Sequence, residues 1–263
     1  MAVINKDSQA TFVMLENKIK QNQVVAPLVT DLSSSVEKGH DSVKINVVLP
    51  MTAQVQTVGA VNFTNQNVSY NQDVMLLNAV SGSSFQIDVH LEMENLFDNE
   101  ANSIAGILTA MGLTLENQLI AQALAAATLT ETARTADIYN DVIAAKRVMR
   151  DALIPLEGMS LVLNGADEAA AATSSKIINS TDTQNRTGFA GKIAGFDCFV
   201  SNSAAATESF FIHKDGAAYA WHGDIVYLES VSPQTTKKTA SLSRKFNSTV
   251  LRGGALIYKW GES

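Results

Sequence analysis

Apolar side chains recur between about Asn95 and Ala127 at Phe97, Ala101, Ile104, Leu108, Met111, Leu115, Leu119 and Ala123, in steps of three or four. That spacing is one face of an α-helix. Asn95 is placed to cap its start, and Asp98 and Glu100 fall in the first turn, where free amides favour carboxylates. No proline interrupts the run. At ~1.5 Å per residue it predicts a rod of about 45–50 Å, against a typical helix of only ~11–12 residues. Gly112 interrupts it at a cost of ~1 kcal/mol relative to alanine. Such a glycine marks either close packing against another backbone or a point where the rod bends.

Ahead of the rod the period changes to two. Val43, Ile45, Val47 and Leu49 share one strand face, closed by Pro50, and Phe85, Ile87, Val89, Leu91 and Met93 share another. The stretch between them, Met51 to Ser84, is rich in Gln, Asn, Thr, Ser and Val. The two strands are expected to bracket a long hairpin. A hairpin alone is marginal in water, and an excursion of this length serves binding, so it is expected to lie on a neighbouring molecule. Residues 1–40 are polar and weakly periodic, with a short helical candidate at Phe12 to Ile19 and with Pro27 and Ser33-Ser34-Ser35 further on. They read as an extended arm, ordered by what it touches.

After the rod the pattern is α/β. Asp137 caps a second amphipathic helix with the face Ile138, Val142, Ala145, Met149 and Ala152, ending before Pro155. A strand Met159 to Leu163 follows, then an Asn164-Gly165 turn into an Ala-rich helix near Ala166 to Ile178, and a polar loop Asn179 to Gly188. Gly191 to Asn202 reads as two short strands hinged at Gly195. Phe210 to Ile212 is a further strand, expected to turn at Lys214-Asp215-Gly216 into Ala217 to Trp221 as a hairpin. Ile225 to Leu228 and Ser248 to Tyr258 are expected to add strands to a sheet beside the rod.

With 263 residues and 46% hydrophobic side chains, the chain can bury one large core or two smaller ones. Its net charge of −7 does not mark a polyanion binder overall. The distribution is more informative. Between Lys44 and Arg134 there is no lysine or arginine, while Asp73, Asp88, Glu92, Glu94, Asp98, Glu100, Glu116 and Glu131 fall there. From Lys237 to Lys259 the residues Lys237, Lys238, Arg244, Lys245, Arg252 and Lys259 have no acidic neighbour. The two blocks either meet, within the fold or across a subunit contact, or are solvated faces. The basic block also suits non-specific phosphate contacts, with too few aromatics for base stacking. A single cysteine, Cys198, excludes an internal disulfide framework and fits a reducing compartment. No apolar run is expected to approach the ~20 residues of a membrane span, and the first twenty residues lack a signal-peptide core. A soluble protein without membrane contact is expected.

Candidate chemistry is sparse. Asp88, His90, Glu92 and Glu94 project to one strand face and are of metal-binding type, but steps of ~7 Å are too long for four ligands to converge. They equally form the polar side of a half-buried strand. His222 with Asp224 has no nucleophile to activate, and Ser160, Ser201, Ser203 and Ser209 lack a glycine elbow. Cys198 lies in an alternating run and reads as a small packing residue. No phosphate-binding glycine loop is present. No catalytic, cofactor-binding or metal-ligating residue is assigned, and no enzyme activity or cofactor is expected.

The order of parts carries a resemblance. The strand-loop-strand from Asp41 to Glu94 leads into the helix at Asn95. The helix Asp137 to Leu153 is followed by Pro155 and the strand Met159 to Leu163. The element Gly191-Lys-Ile-Ala-Gly-Phe-Asp-Cys-Phe-Val-Ser-Asn202 comes next. Over essentially the whole chain this order resembles the major capsid proteins of tailed bacteriophages, the Hong Kong 97-like α+β fold. The resemblance implies an N-terminal arm (1–40), an E-loop with flanking strands (41–94), a spine helix of the peripheral domain (95–131), an axial domain (132–223) and peripheral-domain return strands (224–263). It further implies a structural protein forming hexamers and pentamers of an icosahedral head around double-stranded DNA, held non-specifically on the inner face. The location implied is the virion, with assembly in the host bacterial cytoplasm. A portal is expected, and the short arm makes a separate scaffolding protein the expectation. A covalent cross-link donated by the loop is not expected, because Met51 to Ser84 holds no lysine. The alternatives are an encapsulin-like nanocompartment shell on the same fold and, from another class, a metal-dependent enzyme using Asp88, His90 and Glu92.

Overall fold

The computed structural model describes residues 19, 23–36, 41–48, 53–55, 64–88, 99–131, 137–173, 189–204, 208–232 and 237–261. The Phe12 to Lys18 helical candidate, the Asn95 cap with Phe97 and Asp98, the strand end Val89 to Met93, residues 51–52 and 56–63 of the predicted loop, and the loop Asn179 to Gly188 lie outside these residues.

The rod is present as α1, Asn99–Ala126, 28 residues or about 42 Å. Leu108, Met111, Leu115, Leu119 and Ala123 are all at most 1% exposed, whereas Ala101, expected on the same face, is exposed. The stripe packs against two strands of a four-stranded sheet and against the arm. Each of its large side chains contributes about 1.5–3 kcal/mol by leaving water. By length and composition alone, the stretch Glu100–Ala126 would pass for a membrane span. Its apolar stripe is instead spent on this core.

Two sheets divide the body. The four-stranded sheet has the order β1 (Thr30–Asp31), β10 (Ala217–Ser232), β11 (Lys237–Val250), β4 (Ala79–Asp88). The six-stranded sheet runs β5 (Leu129–Glu131), β12 (Ile257–Gly261), β9 (Glu208–His213), β6 (Met159–Leu163), β8 (Phe196–Val200), β7 (Phe189–Ile193). Helices α2 (Ile138–Asp151) and α3 (Gly165–Thr173) pack beside the second sheet. The Asp137 side chain accepts from the Tyr139 amide at 3.1 Å, the cap expected of it. Ala194 and Gly195, at φ 51° and 95°, make the tight β7–β8 turn at the expected hinge.

Four sequence expectations change. The strands flanking the excursion do not pair with each other. β2 (Ser42–Val48) pairs with β3 (Tyr70–Leu76), and β4 pairs with β11. β9 and β10 are not a hairpin, for the turn at Lys214 to Gly216 carries the chain from one sheet into the other. β10 runs through the boundary drawn at 223/224, bulging between His222 and Val226, where Gly223 has φ +70°. Finally, β12 lies not in the sheet beside the helix but in the six-stranded one, between β5 and β9. Alternation reports which side of a strand is buried and is silent about its neighbour, so these pairings were out of reach.

The arm departs from expectation as well. Val25 and Ala26 are at most 1% exposed and Val29 8%, so the arm seats these side chains on its own subunit, while Pro27, Asp31, Ser34 and Ser35 stay exposed. Gly112 shows why the rod carries a glycine. A Cβ there would stand 2.4 Å from the carbonyl oxygen of Ile19, so the residue answers close packing by the arm, and helix α1 continues through it from Asn99 to Ala126.

Candidate functional site

Those residues suggested for chemistry that fall among the described ones are dispersed through the fold. Asp88 stands opposite Lys237 in the β4–β11 ladder, and His90, Glu92 and Glu94 lie outside the described residues. Among the described residues no group of three His, Cys, Asp or Glu side chains is placed to hold a metal. The Ser201 and Ser209 hydroxyls donate to the carboxyl groups of Glu116 and Asp167. Cys198 is 1% exposed, and burial pushes its thiol up to about 12. His222 and Asp224 sit at the β10 bulge, where the Arg244 Nε–H donates to the Gly223 carbonyl at 2.8 Å and the guanidinium lies over the Trp221 ring.

Charge is settled mostly within the fold. Lys238 Nζ lies 2.7 Å from Glu100 Oε2 at the start of α1 and 3.3 Å from Glu229 Oε1. The Glu100 carboxyl beside it holds the ammonium well above the usual lysine range. Lys245 pairs with Asp41 at 3.7 Å and Lys259 with Glu208 at 2.5 Å. The basic block therefore meets acidic groups of its own chain, partly those of the central segment.

What remains is surface. The β2–β3 hairpin has two unlike faces. Val43, Ile45, Met75 and Leu77 point inward onto Ala220 and the arm residues Leu32 and Val36. Tyr70, Val74 and Leu76 point outward at 62%, 47% and 55% exposure, and residues 64–69 are exposed throughout. On β10 beyond the bulge, Val226, Leu228 and Val231 are exposed too, and β1 covers that edge only at Ala218 and Tyr219. Three large apolar groups on one face of a two-stranded ribbon, with only Gln72 between them, are what a soluble single copy blunts and an assembling one keeps.

No family model and no curated protein matches the chain. Solved structures do. A Mycobacterium phage Che8 structure matches with a TM-score of 0.72 at 20% identity, covering 90% of each chain. The capsid structure of the Cyanophage P-SCSP1u matches at 0.63 and 16%, covering 90% of this chain and 86% of that one. A virus-like particle from Pyrococcus furiosus matches at 0.59 and 11%, covering 97% and 100%. The chain has the phage capsid-protein fold.

Within that capsid fold one residue escaped the sequence reading. Glu116 is 1% exposed. It accepts from the amides of Val24 (3.2 Å), Val25 (2.9 Å to Oε1, 3.0 Å to Oε2) and Ala26 (3.3 Å), and from the Ser201 hydroxyl at 3.4 Å. Burial raises its pKa above 4.5, and the amide donors pull the other way without cancelling the rise. The available signal was position: a glutamate directly after Leu115, on the margin of an otherwise apolar stripe.

Proposed function

We propose that the chain is the major capsid protein of a tailed phage, building hexamers and pentamers of an icosahedral head around double-stranded DNA. The observation that carries this is the hairpin. Its inner face is seated on its own body, and its outer face, with Tyr70, Val74 and Leu76, is left bare. Burying those three side chains on a neighbouring copy removes apolar area that one subunit cannot cover. The expectation that the hairpin lies on a neighbouring molecule is thereby narrowed to its outer face. In this reading the arm is residues 1–40, the hairpin is the E-loop, α1 is the spine helix, and the four-stranded sheet with α1 is the peripheral domain. The six-stranded sheet with α2 and α3 is the axial domain, entered at β5 and left at Gly216, with β12 returning to it.

The partners in this reading are other copies of the chain, a portal, a separate scaffolding protein and packaged DNA. Because Lys238, Lys245 and Lys259 are paired in the fold, DNA contact is non-specific and weak per subunit. The protein resides in the virion and assembles in the host cytoplasm, and it is no enzyme. Purified chain, alone and with a candidate scaffold, is examined by negative-stain microscopy and limited proteolysis. Closed shells and protection of Met51–Ser84 on assembly are expected; a monomer under every condition, with equal cleavage throughout, refutes the proposal. The likeness to the Pyrococcus furiosus particle favours a second reading, a nanocompartment shell. Shells that form without scaffold and package protein would select it.

A further inference from the structure

The described arm runs along the body from α1, past β10, to the hairpin. At Gln23 to Ala26 it meets α1, where the Gln23 side-chain amide donates to the Gly112 carbonyl at 3.5 Å and three arm amides converge on Glu116. The same carboxyl takes the hydroxyl of Ser201, just past β8 of the six-stranded sheet. At Thr30 and Asp31 the arm pairs in parallel with Ala218 and Tyr219 of β10. The Leu32 amide then donates to the Tyr219 carbonyl at 2.9 Å, and the Trp221 amide to the Ser33 hydroxyl at 3.0 Å. Leu32 and Val36 finally pack under the hairpin with Val43, Ile45, Met75, Leu77 and Ala220.

We infer that residues 23–36 form a strap whose register along β10 is set by Glu116, coupling the loop at Ser201 to the orientation of the hairpin. A two-residue parallel ladder is too short to hold register by itself, since slippage forfeits few backbone bonds. Three arm amides converging on one buried carboxyl do hold it, because each would lose its partner on sliding. A shift of one strand residue, ~3.3 Å, exchanges the faces of the strap. Leu32 and Val36 would then leave the cluster that seats the hairpin. The two ends of the strap thus move together, through a packed cluster with discrete arrangements.

The test is amide hydrogen exchange on the full, unassembled chain at neutral pH, so it is independent of the capsid reading. Glu116→Gln should speed exchange by roughly tenfold or more in residues 23–36 and also in 42–48 and 70–76, leaving β6 and β9 unchanged. Leu32→Ala should speed the hairpin while Val24 to Ala26 stay protected. The double variant should loosen the hairpin no further than the stronger single one. If Glu116→Gln frees the arm and the hairpin exchanges as in the parent, or if the two effects multiply, the coupling is wrong. Should Glu116→Gln loosen β6 and β9 as well, Ser201→Ala decides, since it keeps the carboxyl and the arm amides. A few-fold faster hairpin supports the strap, and an unchanged hairpin overturns it.

Discussion

Gly112 and Gly106 lie on the same helix and make opposite demands on one substitution. Alanine in a helix interior is favoured over glycine by ~1 kcal/mol. At Gly106 an added Cβ meets no heavy atom within 4 Å, so Gly106→Ala should stabilise by about that amount. At Gly112 the same atom would stand 2.4 Å from the Ile19 carbonyl oxygen, a backbone atom that cannot rotate away. The arm must then withdraw. Ile19, 2% exposed, returns to water at ~1.5–3 kcal/mol, and the Gln23 contact to Gly112 is lost at ~1 kcal/mol. Against the propensity gain of ~1 kcal/mol, the net for Gly112→Ala is a loss of about 1.5–3 kcal/mol. For a chain of this size that lowers Tm by roughly 3–12 °C. Urea midpoints of both variants, measured on unassembled protein, check the sign. If Gly112→Ala is as stabilising as Gly106→Ala, the arm does not pack on the helix as described, and the strap reasoning falls with it.

Glu116 has a folded pKa above 4.5, so between that value and its folded pKa the native state binds more protons than the unfolded one. Its contribution is therefore greatest at low pH and is lost as pH rises through the folded pKa. The stability difference between parent and Glu116→Gln should shrink from pH 4 to pH 8 in urea titrations; a constant or growing difference contradicts the sign. Cys198, with its thiol near 12 and 1% exposure, should resist iodoacetamide at pH 8 until the chain is unfolded, and prompt labelling of native protein would show the site to be open. Asp137→Ala should cost about 1 kcal/mol in the urea midpoint by removing the α2 cap. Leu76→Asp, on the bare hairpin face at 55% exposure, should change monomer stability by less than ~0.5 kcal/mol yet abolish shell formation in microscopy; normal shells would release that face from the interface.

Elements whose evidence is local were legible in the residues. The α1 stripe, the Asp137 cap, the strand Met159–Leu163 and the Ala194–Gly195 hinge all follow from period, capping and turn chemistry within a few positions of one another. The order of those elements was enough to suggest the capsid fold. Pairings across long separations were not legible: β4 with β11, β9 with β12 and β6, and the arm with α1 join residues some 45 to 160 positions apart. Side-chain periodicity states that a face is buried and leaves its partner open. Glu116 makes the same point in one residue. By composition it counted among the acidic surface, and only the approach of three amides from the arm made a buried carboxyl there tolerable. The hairpin's two faces were decided the same way. Both alternate in sequence, and the tertiary packing of Ala220, Leu32 and Val36 against one of them left the other for a neighbour.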